Sequence, residues 1–213
     1  MRYKAILFDM DGTLLDTLTD MADAVNHILS VHGWPLRTIE EVRAFVGNGA
    51  RRLMERAVPP EVTGGDFEAV LTEYRDWYQA HNCVATAPYP GIPALLAALA
   101  KAGIKTAVVS NKPDATTKTL AARFFPGLPA FGQRDDVPPK PAPDLVFRAL
   151  ETLGVDAADA IYVGDSEVDV ATARNAGLPL AAVSWGFRGR RALAEAGAAV
   201  IVDTAAELLE VLQ

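Results

Sequence analysis

The feature that most constrains the fold is a series of short apolar segments without polar alternation, separated by amphipathic stretches. Such segments are typical of strands in a parallel sheet, because helices cover both faces of that sheet. They occupy residues 5–8, 106–109, 161–163, 180–183 and 200–202. Helical patterns lie between them at 93–102 and 143–153, and another occupies 205–212. We therefore predict an α/β fold with an open, Rossmann-like parallel sheet.

One interval departs from this alternation and contains helical patterns only. Between residues 16 and 83, apolar side chains recur at helical spacing in successive stretches, the first of which carries Leu18, Met21 and Val25. Thr38 and Glu41 have the spacing of a capping box at the start of another helix. The pattern predicts two domains: an α/β core of residues 1–15 and 85–213, and an all-helical insertion of residues 16–84.

Composition narrows the range of functions. The chain has 213 residues, of which 50% are hydrophobic, and a formal net charge of −7. A negative chain is poorly suited to nonspecific nucleic-acid binding, which needs a positive face. No apolar stretch is long enough to span a bilayer, and the single cysteine, Cys83, excludes an internal disulfide. We expect a cytoplasmic protein without membrane or nucleic-acid partners, as a monomer or a homodimer.

Polar residues with catalytic potential directly follow the predicted strands. In open α/β sheets, ligands bind beyond the carboxyl ends of the strands, so these residues meet at one edge of the sheet. Lys140 lies in a stiff, proline-rich segment before a predicted helix, and we expect it at the same edge. The other residues are Asp9, Asp11, Gly12 and Thr13 after the first strand, Ser110 and Asn111 after the second, and Gly164, Asp165, Ser166 and Asp169 after the third.

This set of residues favours phosphoryl transfer. Clustered carboxylates repel one another unless a cation joins them or their pKa values rise. Mg²⁺ suits the cluster, because it prefers oxygen ligands and binds through carboxylates together with phosphate. One Asp can then attack phosphorus while a lysine neutralises the oxygens and a second carboxylate moves the proton. Single residues also have plainer interpretations: a solvated turn for Asp9 and Asp11, a helix cap for Ser110 or Asp165, and an exposed side chain for Lys140.

Four strings, in this order, resemble the motifs of the haloacid dehalogenase superfamily. The helical interval between the first and second strings resembles the small helical cap of that superfamily. The resemblance covers nearly the whole chain and implies a Rossmann-like core with an inserted cap. The strings are Asp9-Met10-Asp11-Gly12-Thr13-Leu14-Leu15-Asp16-Thr17, Ser110-Asn111-Lys112-Pro113, Lys140-Pro141, and Gly164-Asp165-Ser166-Glu167-Val168-Asp169.

The resemblance implies catalytic roles for four of these residues. Asp9 would be the nucleophile that carries an aspartyl-phosphate. Asp11 would be the acid for the leaving group and then the base for the attacking water. Ser110 would hydrogen-bond the phosphoryl group, and Lys140 would neutralise it. Because the true dehalogenases lack an acid at the position of Asp11, the resemblance implies a phosphatase or a phosphomutase.

The resemblance also implies a Mg²⁺ site. The metal would be held by the side chain of Asp9, the backbone carbonyl of Asp11 and the side chain of Asp165. Asp169 would be a further acid at the metal site or beside it. The resemblance places Thr13 and Asn111 next to the substrate.

The helical insertion carries the expectation about the substrate. Residues 42–57 resemble the same stretch of bacterial phosphoglycolate phosphatases, and they contain Gly47, Asn48 and Gly49 before a predicted helix start. Backbone N–H groups at such a start suit a carboxylate, and Arg51 would add a positive charge. A plain connection between helices is the alternative interpretation. We expect a small phosphorylated acid as the substrate, with 2-phosphoglycolate as the first candidate.

Other functions stay open at this stage. Within the same chemistry, the substrate could be pyrophosphate, a sugar phosphate or N-acetylmuramate 6-phosphate, or the enzyme could be a phosphomutase. A phosphonate hydrolase of this superfamily needs a cap lysine, and residues 16–83 contain none. A phospho-accepting signalling domain would use similar residues, but its acceptor Asp follows a later strand. A non-catalytic binding protein that has kept the fold is the third possibility.

Overall fold

The computed structural model describes residues 2–213 and divides the chain into two compact units. One unit contains the chain up to Asp16 together with Pro88–Gln213, and the other contains Thr17–Ala87. The sequence pattern put the junctions at 15/16 and 84/85, whereas the structure has them at 16/17 and 87/88. A substrate-selecting role for the smaller unit stays a prediction.

The strands form a six-stranded parallel sheet and a two-stranded sheet. In the larger sheet the order is β5-β4-β1-β6-β7-β8, and neighbouring strands are parallel. The smaller sheet pairs β2 with β3. This architecture confirms the predicted Rossmann-like α/β fold. The strands, in chain order, are β1 (Ala5–Phe8), β2 (Leu15–Asp16), β3 (Ala87–Pro88), β4 (Lys105–Pro113), β5 (Ala130–Gln133), β6 (Ala160–Gly164), β7 (Leu180–Val183) and β8 (Ile201–Val202).

The unit Thr17–Ala87 is helical, as the sequence pattern predicted. Thr38 and Glu41 form the predicted capping box at the start of its second helix. Asp20 in the first helix is buried and accepts hydrogen bonds from the backbone N–H groups of Val84, Ala85 and Thr86 at 3.0, 2.8 and 2.9 Å. This carboxylate therefore fastens the end of the unit to its first helix. The helices are α1 (Leu18–Val31), α2 (Ile39–Phe45), α3 (Gly49–Ala57) and α4 (Gly64–His81).

The helices of the sheet-containing unit alternate with its strands and cover them. Val146 and Leu150 of one helix pack against Leu7 of β1 and Tyr162 of β6 in one buried cluster. That helix begins after Pro143 and ends at Gly154, whose φ is 61°, as the start and stop residues predicted. The helices are α5 (Ile92–Lys101), α6 (Asp114–Phe124), α7 (Asp144–Leu153), α8 (Glu167–Ala176), α9 (Gly189–Glu195) and α10 (Ala205–Leu212), with a 3₁₀ turn at Ala157–Asp159.

The short strands β2 and β3 were not predicted, and within the large sheet two strands differ from the sequence prediction by more than one residue. β5 was not predicted, because Pro126 and Pro129 precede it and it forms a half-buried edge of the sheet. β4 was predicted to end at residue 109 but continues to Pro113, with a register shift against β5 between Val109 and Pro113. Ser110 and Asn111 therefore belong to the end of the strand rather than following it.

None of the helices built from the described residues is both long and apolar enough to cross a bilayer.

Candidate active site

The strand order sets the location of the site. Counted within the large sheet alone, the order is 3-2-1-4-5-6, and it reverses between β1 and β6. Ligands in open α/β sheets bind at this switch point, beyond the carboxyl ends of the two strands. Asp9 follows β1 and Asp165 follows β6, and the Asp9 N–H donates to the Val163 carbonyl at 2.8 Å. Both acids therefore lie at the switch point of the sheet, where a ligand is expected to bind.

Asp9 is largely buried and its two carboxylate oxygens differ. Oδ1 accepts hydrogen bonds from the Met10 N–H at 2.7 Å and from Lys140 Nζ at 2.9 Å. The described residues donate no hydrogen bond to Oδ2, so that oxygen is available to an incoming group. One oxygen thus fixes the carboxylate while the other is left to react.

Lys140 is the buried cation at the centre of the site. Its ammonium group lies 2.9 Å from Asp9 Oδ1, 2.8 Å from Asp169 Oδ1 and 3.0 Å from the Tyr162 hydroxyl. An ammonium group has three N–H donors, so these three acceptors use all of them. The lysine head group is therefore held in one place by residues of three different segments.

Tyr162 was missed by the sequence analysis. Its hydroxyl accepts from Lys140 Nζ and donates to the Val109 carbonyl at 3.1 Å, and its side chain is fully buried in β6. The sequence carries no signal for this role, since a tyrosine inside an apolar strand is ordinary core. Tyr162 therefore connects Lys140 to Val109 of β4, the residue directly before Ser110.

Asp169 serves the site through a helix cap. Ser166 and Asp169 form a capping box at the start of α8, and Asp169 Oδ2 accepts from the N–H groups of Asp165 and Ser166 at 3.2 and 3.1 Å. Its Oδ1 accepts from Lys140. The capping residue of α8 is Ser166, so the helix-cap interpretation of Asp165 does not hold.

Asp165 is held from two sides. Its Oδ1 accepts from the Thr13 hydroxyl at 3.2 Å, and its Oδ2 accepts from the Phe187 N–H at 2.7 Å. Gly12 leaves no room for a side chain, because a Cβ atom there would lie 2.3 Å from Asp165 Oδ2. The Phe187 contact was not predicted, since a backbone N–H has no sequence signature.

The Ser110-Asn111-Lys112 segment of β4 fastens the lysine loop and a second acid. The Asn111 side chain accepts from the Lys140 N–H at 2.7 Å and donates to the Lys140 carbonyl at 3.0 Å, which fixes the backbone of that residue. Lys112 Nζ lies 3.0 Å from Asp11 Oδ1. Ser110 is buried, and its hydroxyl accepts from the Lys112 N–H at 3.2 Å.

Charge and burial shift the pKa values at the centre of the site. Burial, followed by the charges of Asp169 and Asp11, raises the pKa of Asp9 to about 7 despite the attraction of Lys140. Burial and the neighbouring carboxylates of Asp169 and Asp9 raise the pKa of Asp165 well above its ordinary value. Burial lowers the pKa of Lys140, but Asp169 and Asp9 outweigh it and keep that pKa well above its ordinary value.

These residues fit a divalent metal ion. Asp9, Asp165 and Asp169 each offer a carboxylate oxygen, and the three oxygens lie within 4.8 Å of one another. All three side chains are buried, and Lys140 alone does not balance their charge. Carboxylate oxygens are the donors that Mg²⁺ prefers. The pKa values of Asp9 and Asp165 are raised for the same physical reason, since burial is the largest cause in both and neighbouring carboxylates add to it.

The predicted residues of the helical insertion lie in the other unit. Gly47, Asn48 and Gly49 precede α3 as predicted, and Asn48 Oδ1 accepts from Arg56 Nη2 at 3.0 Å. Arg51 donates from Nη1 and Nη2 to the two carboxylate oxygens of Glu68 at 2.8 and 2.7 Å. The structure therefore gives Arg51 a carboxylate partner of its own, and it identifies Arg56 as the residue that orders this loop.

The predicted site residues thus fall into two groups. The structure brings one group together at the end of the large sheet: Asp9, Asp11, Thr13, Ser110, Asn111, Lys140, Asp165 and Asp169. The other group, Gly47, Asn48, Gly49 and Arg51, belongs to the helical unit.

The parallel sheet, with acids at its switch point and a buried lysine among them, defines a class of hydrolase suited to phosphoryl chemistry. Residues 6–183 match the family model of the haloacid dehalogenase-like hydrolases. The chain belongs to this family. Its full-length relatives identify it as a phosphatase.

Two named relatives cover essentially the whole chain. N-acetylmuramic acid 6-phosphate phosphatase of Pseudomonas aeruginosa is 37% identical, over 100% of this chain and 96% of that protein. Phosphoglycolate phosphatase of Pseudomonas savastanoi pv. phaseolicola is 35% identical, over 97% of this chain and 78% of that protein.

Solved structures agree with this assignment. The crystal structure of a protein from Lactobacillus delbrueckii subsp. bulgaricus superposes on this structure with a TM-score of 0.94 at 37% identity. The superposition covers 100% of this chain and 99% of that chain. CbbY from Rhodobacter sphaeroides, in complex with phosphate, has a TM-score of 0.76 at 27% identity, over 97% of this chain and 96% of that chain.

Proposed function

We propose that the protein is a Mg²⁺-dependent phosphomonoester hydrolase that carries the phosphoryl group transiently on Asp9. The observation that supports this most strongly is the arrangement of Asp9 and Lys140. One oxygen of Asp9 is fixed by Lys140 and the Met10 N–H, while Oδ2 is left without a donor among the described residues. A carboxylate oriented in this way is a nucleophile with its neutralising cation already in position.

The reaction then has two balanced steps. In the first, Asp9 forms a bond to phosphorus while the bond from phosphorus to the ester oxygen breaks, and Asp11 gives its proton to that oxygen. In the second, Asp11 takes a proton from water, the water oxygen bonds to phosphorus, and the bond from phosphorus to Asp9 breaks. Phosphate and an alcohol leave, and both acids return to their starting forms.

Other residues prepare these steps. Lys140 neutralises the phosphoryl oxygens, and Asp169 and Tyr162 hold its remaining N–H groups in place. Ser110 lies in β4, the strand that pairs with β1, and its hydroxyl donates to the phosphoryl group. Asn111 acts through the backbone of Lys140 rather than on the substrate.

We assign the metal site to Asp9 and Asp165 side chains with the backbone carbonyl of Asp11. When bound, Mg²⁺ supplies positive charge to the phosphoryl oxygens and relieves the repulsion among the buried acids. Asp169 is less suited as a ligand than Asp165, because three donors reach its Oδ2 and Lys140 reaches its Oδ1, whereas each oxygen of Asp165 accepts one hydrogen bond. Asp169 therefore holds Lys140 and caps α8.

We propose a small phosphorylated carboxylic acid as the substrate, with 2-phosphoglycolate first. The names of relatives at 35% identity and the resemblance of residues 42–57 support this choice. N-acetylmuramate 6-phosphate is the second candidate, because the relative of that name matches this chain over 96% of its own length, against 78% for the phosphoglycolate phosphatase. Both candidates carry a carboxylate as well as a phosphate monoester. A cytoplasmic location stays a prediction from the single cysteine.

Phosphate release from a panel of esters tests the proposal. The panel contains 2-phosphoglycolate, N-acetylmuramate 6-phosphate, pyrophosphate, glucose phosphates and p-nitrophenyl phosphate, each with Mg²⁺ and each beside Asp9→Asn. We expect 2-phosphoglycolate to lead by about tenfold or more in kcat/KM, which is about 1.4 kcal/mol of transition-state preference. A lead for N-acetylmuramate 6-phosphate would replace the first candidate by the second and leave the chemistry unchanged.

Two other outcomes would overturn the chemistry itself. Stable labelling of Asp9 without phosphate release would favour a phospho-accepting signalling domain. Transfer of phosphate between two hydroxyls of one sugar, without release to water, would favour a phosphomutase.

A further inference from the structure

Lys112 is a second buried lysine of the site, and it has no part in the two proposed reaction steps. Its side chain is 3% exposed, and its Nζ lies 3.0 Å from Oδ1 of Asp11, whose side chain is 13% exposed. A buried ammonium group is costly unless a carboxylate or several acceptors compensate for lost water. The ion pair with Asp11 is therefore a specific feature of the site rather than a surface contact.

The backbone on both sides of this lysine is anchored. The Lys112 N–H donates to the Ser110 hydroxyl at 3.2 Å, and the Lys112 carbonyl accepts from the Thr117 hydroxyl of α6 at 3.1 Å. Gly132 of β5 packs against the same carbonyl, so closely that a Cβ atom there would lie 2.7 Å from it. The lysine therefore extends from a fixed point at the end of β4 towards Asp11.

The two lysines of the site have different partners. Lys140 lies against Asp9 and Asp169, whereas Lys112 lies against Asp11. In the proposed reaction Asp9 bonds to phosphorus and Asp11 handles the proton of the ester oxygen. The division of partners therefore matches a division of tasks, one lysine on the phosphorus side and one on the leaving-group side.

We propose that Lys112 is a positioning residue for Asp11: its ammonium group orients the Asp11 carboxyl group for proton transfer to the leaving oxygen. This inference rests on the proposed function and deepens it. A proton transfer depends steeply on the distance and angle between donor and acceptor, and a single Asp side chain has two free torsions. Fixing one oxygen of Asp11 through Lys112 restricts both torsions, so the carboxyl group meets the leaving oxygen in one orientation.

A positioning role for Lys112 affects esters of poor and good leaving groups differently, whereas other roles of this lysine do not. Proton transfer matters most for a poor leaving group such as an alkoxide, and little for p-nitrophenolate, which departs without a proton. A lysine that neutralises phosphate, or that only stabilises the fold, would affect both kinds of ester equally. A larger loss of activity on an alkyl phosphate than on p-nitrophenyl phosphate therefore identifies the positioning role.

The experiment compares wild type, Lys112→Met and Lys112→Arg on p-nitrophenyl phosphate and on the best alkyl phosphate of the panel. The readout is kcat/KM, because it reports the steps up to release of the alcohol even where hydrolysis on Asp9 limits kcat. We expect Lys112→Met to lower kcat/KM for the alkyl ester by roughly 10- to 100-fold, and for p-nitrophenyl phosphate by less than about threefold. Lys112→Arg should restore most of the loss, since it keeps a cationic donor.

Matched variants serve as controls. Lys118→Met removes an exposed lysine whose Nζ lies 2.7 Å from Asp114, and it should change neither ester. Asp11→Asn should give the same selective loss as Lys112→Met, and the double variant should lose little more, because the two residues act as one unit. Thermal unfolding of each variant separates misfolding from altered catalysis, and Lys112→Gln serves where Lys112→Met does not fold.

The possible results separate this inference from the proposed function. Equal losses on the two esters, or no loss on either, would overturn the positioning role while the phosphatase chemistry stands. Wild-type protein that releases phosphate from neither ester would overturn the proposed function, and the inference with it.

Discussion

At the scale of single residues, the site buries several carboxylates close together, which is unfavourable for folding but useful for reactivity. Asp9, Asp165 and Asp169 are buried together, and Lys140 is the ammonium group among them. Burial raises the pKa of Asp9 to about 7, so its charged form is disfavoured in the folded protein. Such a buried charge serves the reaction but lowers the unfolding free energy. A variant without the charge should therefore be more stable and less active.

The variant Asp9→Asn should lose turnover and gain stability. The ordinary pKa of 3.8 applies in the unfolded chain, and the folded value is about 7. The folded state therefore binds the extra proton, and stability falls as pH rises through this window. The Asn side chain does not titrate. We therefore expect the melting temperature of Asp9→Asn in EDTA to exceed that of wild type, and the difference should grow from pH 5 to pH 8. The difference in unfolding free energy should reach about 2 to 4 kcal/mol at pH 8.

Two results would contradict this account of Asp9. Activity of Asp9→Asn within about tenfold of wild type would remove it as the nucleophile. A stability difference that does not change with pH would show that the carboxylate is ordinary in the folded protein.

Removing the Tyr162 hydroxyl should slow catalysis with little effect on substrate affinity. Tyr162→Phe keeps the buried ring and deletes one acceptor of Lys140, whose Nζ lies 3.0 Å from that hydroxyl. A hydrogen bond to a charged group contributes about 1.5 to 3 kcal/mol, so we expect kcat to fall by about 10- to 160-fold with KM within about twofold. Tyr3→Phe, which removes a hydroxyl preceding β1 at the opposite end of that strand, is the control. Steady-state kinetics on both variants make the comparison, and equal activities would refute the role.

At the scale of elements, one local motif serves two purposes in this chain. Thr38 with Glu41 and Ser166 with Asp169 are both capping boxes, at the starts of α2 and α8. In the first box the acid closes the helix start and lies 3.7 Å from Arg37 at the surface. In the second, the acid also accepts from Lys140. The same sequence motif is therefore structural in one helix and part of the site in the other.

Breaking the two boxes should separate these purposes. Thr38→Ala and Ser166→Ala each remove a capping hydroxyl and should cost about 1 kcal/mol of unfolding free energy. At this chain length that lowers the melting temperature by about 2 to 4 °C. Only Ser166→Ala should also lower kcat, because Asp169 loses its 2.6 Å hydrogen bond from Ser166 and holds Lys140 less firmly. Calorimetry and steady-state rates on the pair test this, and equal rates for both variants would count against it.

At the scale of the whole molecule, a bound cation should tie together segments that are distant in sequence. The candidate ligands Asp9 and Asp165 follow β1 and β6, which pair directly in the sheet. An ion that binds only the folded state stabilises it by mass action. Metal binding should therefore be visible in unfolding experiments that need no substrate.

We expect Mg²⁺ to raise the melting temperature and EDTA to reverse the shift. Saturation at about one hundred times the dissociation constant corresponds to about 2.7 kcal/mol. Asp165→Asn should abolish the shift, whereas Asp114→Asn, which alters an exposed ion pair with Lys118, should keep it. EDTA should also stop phosphate release, and excess Mg²⁺ should restore it. Turnover that survives thorough chelation would refute the assigned site.

Much of this protein was determined by the sequence itself. Apolar runs without alternation predicted β1 and β7 at their observed bounds, because a strand covered on both faces has no polar positions. Thr38, Pro143 and Gly154 predicted helix starts and stops, because capping depends on neighbours a few residues away. Strand-end positions predicted that Asp9 and Asp165 meet at one edge of the sheet, and the proline-rich segment before a helix predicted Lys140 there. In the structure Lys140 Nζ lies 2.9 Å from Asp9, and oxygens of Asp9 and Asp165 lie within 4.8 Å of each other.

The rest was decided only by the tertiary structure. The role of Tyr162, the Phe187 N–H on Asp165 and the pairing of Lys112 with Asp11 join positions far apart in the chain. Nothing local distinguishes these residues, because a core tyrosine, a backbone amide and a lysine look ordinary in sequence. The direction of their hydrogen bonds depends on strand order and register, and burial decides which charges shift their pKa values. The sequence thus determined which groups do the chemistry, and packing determined how each of them is held.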